Sequence, residues 1–139
     1  IPLIAGGGVL GVIIGFLDAN DAHHQAADAA LRDARARNDR LVLPASAYAE
    51  VLVGPSRSGA AAVDAVRRLV ERVPIHVEAL DADIARVAAA LRARHRPLRL
   101  PDALVIATAS HLDADHLITT DRKWPARSKL KLRASITAI

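Results

Sequence analysis

The chain contains no cysteine. Disulfides and thiolate metal sites are excluded, a secreted disulfide scaffold with them, and a reducing cytoplasm becomes the default compartment. Aromatic residues are nearly missing too, represented only by Phe16, Tyr48 and Trp124. The core must then be Ala, Val, Leu and Ile, which favours helices packed closely on a sheet. Residues 1–17 carry no charge. This stretch is at the lower limit for a bilayer span and is interrupted by glycine. It has no basic segment before it and no small-residue cleavage site after it. It reads as a buried strand leading into a second buried segment, with no membrane role. Acids are missing at both ends: none precedes Asp18 and none follows Asp121.

What is present describes a globular protein. Of 139 residues, 52% are hydrophobic and 24% charged, which excludes a disordered chain and fits one domain over 1–139. The net charge is +4 and unevenly spread. Arg92, Arg94, Arg96 and Arg99, with His95, crowd the approach to Asp102. Arg122, Lys123, Arg127, Lys129, Lys131 and Arg133 follow Asp121. Such clusters attract phosphates; a solvated basic face is the plainer reading.

Local patterning alternates strand and helix. Ile1–Ala5 reads as a buried strand, and Val9–Leu17 continues apolar. After a turn at Asp18–Asp21, a helix is expected over 22–37, capped by Asn20 or Asp21. Leu41–Leu43 is a strand ended by Pro44. Ser46 starts a helix that carries Glu50 and closes near Gly54-Pro55. Ser56 starts another through Val73, with Val63, Val66, Leu69, Val70 and Val73 on one face. Ile75–Val77 is a strand. Asp81 caps a helix to about Arg94, with Ile84, Val87, Ala88 and Leu91 inward. Pro101 and Asp102 open an apolar helix through Ser110. His116–Thr119 and Ala134–Ala138 are strands. Strands separated by helices predict one α/β domain with a parallel sheet covered on both faces.

Three acids stand where a strand-like run meets a helical one: Glu50, Asp102 and Asp121. Nothing local relates them, so only the folded sheet could gather them. In open parallel sheets ligands collect at the carboxyl ends of strands. Asp121 follows such an end, and Glu50 and Asp102 lie in early helical turns, where the helix dipole favours negative charge. Converging carboxylates repel unless a cation sits among them, and all-oxygen ligation suits Mg²⁺ or Mn²⁺. Singly, each acid is better explained as a helix or turn residue; jointly, with basic clusters flanking Asp102 and Asp121, the site reading leads. Thr119 and Thr120 could orient a ligand by their hydroxyls.

Other motifs carry less. Gly6-Gly7-Gly8-Val9-Leu10-Gly11 matches G-x-G-x-x-G, but the next strand is too distant and ends without the acid a ribose needs. An α/β nucleotide binder remains the third reading. His23 and His24, near Asp28, read as a solvent-facing helix start. Ser46 has no His–Asp partners and reads as a helix cap, and Trp124 reads as a cover over the core edge, ahead of a base-stacking surface.

The segments Ala47-Tyr48-Ala49-Glu50-Val51-Leu52-Val53-Gly54, Pro101-Asp102-Ala103-Leu104-Val105-Ile106-Ala107-Thr108-Ala109 and Leu117-Ile118-Thr119-Thr120-Asp121-Arg122 resemble successive motifs of PIN-domain ribonucleases. Gly15–His24 resembles the end of that family's first strand–helix unit. Length and order resemble its small bacterial toxin branch, the VapC type of toxin–antitoxin pairs. The resemblance implies a PIN-like three-layer α/β/α sandwich with a central, mainly parallel sheet. It implies an Mg²⁺- or Mn²⁺-dependent endoribonuclease toxin of a type II pair, cytoplasmic, homodimeric and neutralised by a VapB-type antitoxin. By motif, Glu50, Asp102 and Asp121 are metal ligands, Thr119 lies near the metal, and Arg96, Arg99, Arg122 and Lys123 hold RNA. The family's first-strand Asp has no counterpart. Aligned without gaps its position is Val9, and with a three-residue insertion it is Gly6. Weakened activity is expected, or a catalytically silent relative that still binds antitoxin or RNA; substitution by Asp18 or Asp115 is the least favoured route.

Overall fold

The computed structural model describes the backbone of residues 2–4, 25, 29, 32–33, 36–38, 40–119 and 124–138. Side chains at 2–4, 118–119, 127–128 and 137–138 are outside the description. The glycine-rich opening, Val9–Leu17, the Asp18–Asp21 turn, His23, His24, Asp28 and Thr120–Lys123 lie outside the described residues.

Among the described residues five strands form one sheet: β1 (Pro2–Ile4), β2 (Leu41–Pro44), β3 (Ile75–Glu78), β4 (His116–Thr119) and β5 (Ser135–Ala138). Their order is β3-β2-β1-β4-β5 and every pairing is parallel. The expected α/β class with a parallel sheet is what the chain adopts. Leu41, Val42, Leu43 and Pro44 are all buried, and Leu117 is fully so. Unbroken burial of this kind is the mark of a strand covered on both faces.

Helices α1 (Ala45–Ser58) and α2 (Ala60–Arg72) connect β2 to β3, and α3 (Ala82–Arg94) and α4 (Leu100–His111) connect β3 to β4. The first connection moves one way across the sheet and the second moves back. Right-handed crossovers therefore put the two helical pairs on opposite faces, giving the three-layer sandwich. A short α5 (Arg127–Leu130), absent from the sequence reading, precedes β5. Of segment 22–37, Gln25, Ala29, Arg32, Asp33 and Ala36 are helical and exposed, as expected.

Several boundaries differ from expectation. The helix carrying Glu50 does not close at Gly54-Pro55 but runs on to Ser58. The ring of Pro55 fixes a helix-compatible φ, so it costs the missing N–H bond without forcing a break. The break falls at Gly59, where φ is +125° and the N–H reaches the Pro55 carbonyl at 3.0 Å. A side chain there would be strained. The next helix consequently starts at Ala60, not Ser56. Ser46 caps nothing, because Pro44 holds the N-cap position and Ser46 is already inside the helix. Val87 is 42% exposed, since α3 buries only a narrow stripe of Ile84, Ala88 and Leu91. Asp81 does cap α3, its Oδ1 accepting from the Ile84 N–H at 2.9 Å.

The core follows the aliphatic composition. Ala103, Val105, Ile106, Ala107 and Ala109 make α4 almost wholly buried. Its small residues let α3 lie close against it, a pairing that supplies much of the tertiary packing. Among the described residues no helix is long and apolar enough to cross a membrane.

Candidate metal centre

Because α1 begins directly where β2 ends, Glu50 lies one turn and a half from the carboxyl edge of the sheet. Ala47 and Val51 beside it are buried and Ala49 is exposed, so Glu50 straddles the boundary and is half-buried. Asp102 arrives from the opposite connection. Arg99 occupies the N-cap of α4 with extended backbone (φ −75°, ψ 154°), Pro101 sits in the first turn, and Asp102 is the third helical residue. Its carboxylate thus lies at the positive end of the helix dipole. Among the described residues only Asp102, 3% exposed, and Thr108 are buried polar side chains. Thr108 is accounted for by the bond from its hydroxyl to the Leu104 carbonyl at 2.7 Å.

The two acids meet. α1 packs against α4, and burial pushes the Glu50 carboxyl above its ordinary pKa, repulsion from Asp102 adds to that, and Arg99 opposes it. Glu50, Asp102 and Arg99 therefore share one electrostatic neighbourhood. Carboxylates within such range, brought closer, would offer oxygen donors of the kind a hard divalent cation takes. Among the described residues no cluster of three metal-ligating side chains occurs. β4 ends at Thr119, two residues before Asp121, on the same edge of the parallel sheet as the end of β2. The Thr119 side chain and the whole of Asp121 are outside the description.

The basic residues divide. Arg92, Arg94, Arg96 and Arg99 are exposed around the turn joining α3 to α4. That turn is anchored by Leu98, 2% exposed, whose N–H bonds the His95 carbonyl at 2.9 Å. Arg122 and Lys123 are outside the description. Arg133, counted with the phosphate-attracting cluster, is committed elsewhere. Its Nε donates to Asp113 at 2.6 Å and its Nη2 to Asp115 at 2.8 Å, tying the start of β4 to the approach of β5. Asp115 is thereby also removed as a substitute ligand, being at the amino edge of the sheet. Trp124 packs against the core edge, as the sequence suggested. Its indole N–H is enclosed and has no partner among the described residues.

A cavity of about 510 Å³ opens between Asn38, Arg40, Leu41, Val73, Pro74, Ile75 and His76. It lies at the amino ends of β2 and β3, on the far edge from Glu50, and contains no expected site residue. The electrostatic link from Arg99 to Glu50 is the feature that sequence reading missed. Its only signal was the position of Arg99 three residues before Asp102.

Comparison with known proteins identifies the fold. The family model of the PIN domain matches residues 11–130. No curated protein matches the chain in sequence. In fold it is similar to VapBC2 from Rickettsia felis bound to a promoter DNA fragment (TM-score 0.72, 15% identity, 98% of each chain covered). It is also similar to VapC20 from Mycobacterium tuberculosis, a Sarcin-Ricin loop cleaving toxin (TM-score 0.67, 18% identity, covering 88% of this chain and 92% of that one). A toxin–antitoxin complex from Klebsiella pneumoniae aligns with TM-score 0.66 and 24% identity over 88% of each chain.

Proposed function

This chain belongs to the PIN-domain family, and from that premise we propose that it is a divalent-metal-dependent endoribonuclease toxin of the VapC type. One observation carries the reading: Glu50 and Asp102, from two different crossovers of the sheet, converge as a partly desolvated carboxylate pair. Such a pair has little structural purpose, because burying like charges together costs stability. It has a clear chemical one if a cation is to be held.

Glu50 and Asp102 would hold Mg²⁺ or Mn²⁺, with Asp121, two residues beyond β4 in sequence, as a third ligand and the Thr119 hydroxyl beside them. When bound, such a cation makes an attacking water acidic and neutralises charge on a phosphodiester. The protein's own contribution is placement. The start of α4 and the anchored 95–99 turn fix Asp102 and Arg99 relative to each other, and α1 carries Glu50 to the same point. Arg96 and Arg99, with Arg122 and Lys123, would hold the RNA backbone by charge, sequence-independently. The toxin–antitoxin complexes among the fold relatives support a VapB-type antitoxin as partner, and a cytoplasmic homodimer is part of the same proposal.

A second reading is a silent relative that binds antitoxin or RNA without cutting. One observation favours it: no acid precedes Asp18, so the first strand brings no carboxylate. The deciding experiment incubates the purified protein with total RNA and Mn²⁺ or Mg²⁺, beside Glu50→Gln. Metal-dependent cleavage that Glu50→Gln abolishes is the expected result. Cleavage that survives Glu50→Gln refutes this site, and no cleavage until Asp is placed at Gly6 or Val9 establishes the silent relative.

A further inference from the structure

β3 stands at one edge of the sheet, with β2 as its single neighbour. Among the described residues, Ile75–Glu78 makes no backbone hydrogen bond except to β2. Every second residue of the strand therefore turns its N–H and C=O outward, a template for another strand. The side chains alternate between two faces. Ile75 is buried and Val77 packs against the core. His76 and Glu78 share the other face, their side chains 43% and 26% exposed, with Nε2 and Oε2 2.9 Å apart. Two further features flank the strand. Before it, Val73, Pro74 and Ile75 line the cavity of about 510 Å³. After it, Leu80 is 46% exposed.

We infer that β3 is a self-pairing edge: two copies of this chain join antiparallel about a two-fold axis at Val77 and continue the sheet through both molecules. The inference gives a surface to the homodimer proposed above and is independent of the metal site. A second copy is the occupant because the edge is complementary to itself. An antiparallel pair centred on Val77 sets His76 opposite the second copy's Glu78, and Glu78 opposite its His76, as an isologous contact requires. Centring on Glu78 would instead set two carboxylates face to face, so charge selects the Val77 register. Continued outward, the same register lays Leu80 of each copy beside Pro74 of the other, at the mouth of the cavity. An exposed apolar side chain thus meets a hollow floored by the buried Leu41, Val73 and Ile75. Pro74 has no N–H to donate and ends the ladder there. Four-residue strands and exposed charges make the association weak and concentration-dependent, with Leu80 as its anchor.

The chain contains no cysteine, so one introduced thiol reports the axis directly. Residues facing each other across an antiparallel pair have Cα atoms about 4.5–5.5 Å apart, within disulfide reach. Val77→Cys is expected to give a covalent dimer under mild oxidation. Val53→Cys, at a 48% exposed position on α1, is expected to give none at the same concentration. Sedimentation of the full chain at low ionic strength reads the non-covalent association. His76→Glu and Glu78→Lys should each weaken it by about three- to tenfold, because like charges then face each other across the axis. An equimolar mixture of the two variants should restore it, since opposite charges face each other again. Leu80→Asp should weaken it by about tenfold or more and leave the melting temperature of dilute protein unchanged. A dimer that persists in Leu80→Asp, or a mixture of charge variants no tighter than either alone, overturns the inference while the homodimer reading stands. A wild-type chain that is monomeric at about 1 mM overturns both and leaves the cleavage reading untouched.

Discussion

Glu50 and Asp102 are brought within electrostatic reach of each other although one belongs to the crossover leaving β2 and the other to the crossover leaving β3. Their repulsion adds to the burial of Glu50 in opposing its ionisation. The proposed metal site makes each consequence of that arrangement measurable.

Stability against pH is the first. The Glu50 carboxyl titrates above its ordinary value of 4.5 in the folded chain. A group raised on folding contributes stability that is fully present below the unfolded pKa and lost as pH rises through the folded one. Glu50→Gln removes that loss. Without metal, its melting temperature should equal the wild type's at about pH 4 and exceed it at about pH 7. Saturating Mn²⁺ should reverse the order by stabilising only the wild type.

Asp102 answers to a different balance. It is buried and lies in the first turn of α4. Asp102→Ala should abolish cleavage and also cost about 1–2 kcal/mol in urea unfolding, from the lost helix-end charge and the space left behind. Asp102→Asn should abolish cleavage while losing less stability.

The two glycines at the far end of α1 should respond in opposite ways. Nothing lies within 4 Å of where a Cβ would stand at Gly54, inside the helix, so Gly54→Ala should stabilise by about 0.5–1 kcal/mol. Gly59 has φ +125°, and Gly59→Ala should destabilise by more than about 1 kcal/mol. Thermal unfolding of the two variants checks both, and cleavage should be unchanged in each.

The first strand offers a gain of function. The missing ligand position aligns with Val9 without gaps and with Gly6 when three residues are inserted. Asp at the position that supplies the ligand should raise Mn²⁺-dependent cleavage by about tenfold or more over the parent chain, and Asp at the other should not. The comparison is one of initial rates on the same RNA.

Much of this was legible in the residues. Runs such as Leu41–Leu43 and His116–Thr119 could only be parallel strands once helical patterns separated them, and Asp81 announced α3 by its capping chemistry. The order of the Glu50, Asp102 and Asp121 motifs was informative for the family, whose model matches residues 11–130. Boundaries were less readable. Pro55 obeyed the helix instead of ending it, and Val87 followed helical periodicity but met no partner, because exposure depends on what the fold places opposite. The ties of Arg133 to Asp113 and Asp115 were hidden for the same reason. Charge sign was visible in the sequence; pairing across about twenty residues was not.

One measurement tests the central claim most directly. A crystal soaked in Mn²⁺ and measured at the manganese absorption edge locates the ion without reference to activity. The account predicts an anomalous peak ligated by carboxylate oxygens of both Glu50 and Asp102, at about 2.0–2.3 Å, and its loss in Glu50→Gln. A peak elsewhere, for instance at the His76–Glu78 pair on β3, with none between Glu50 and Asp102, would contradict it.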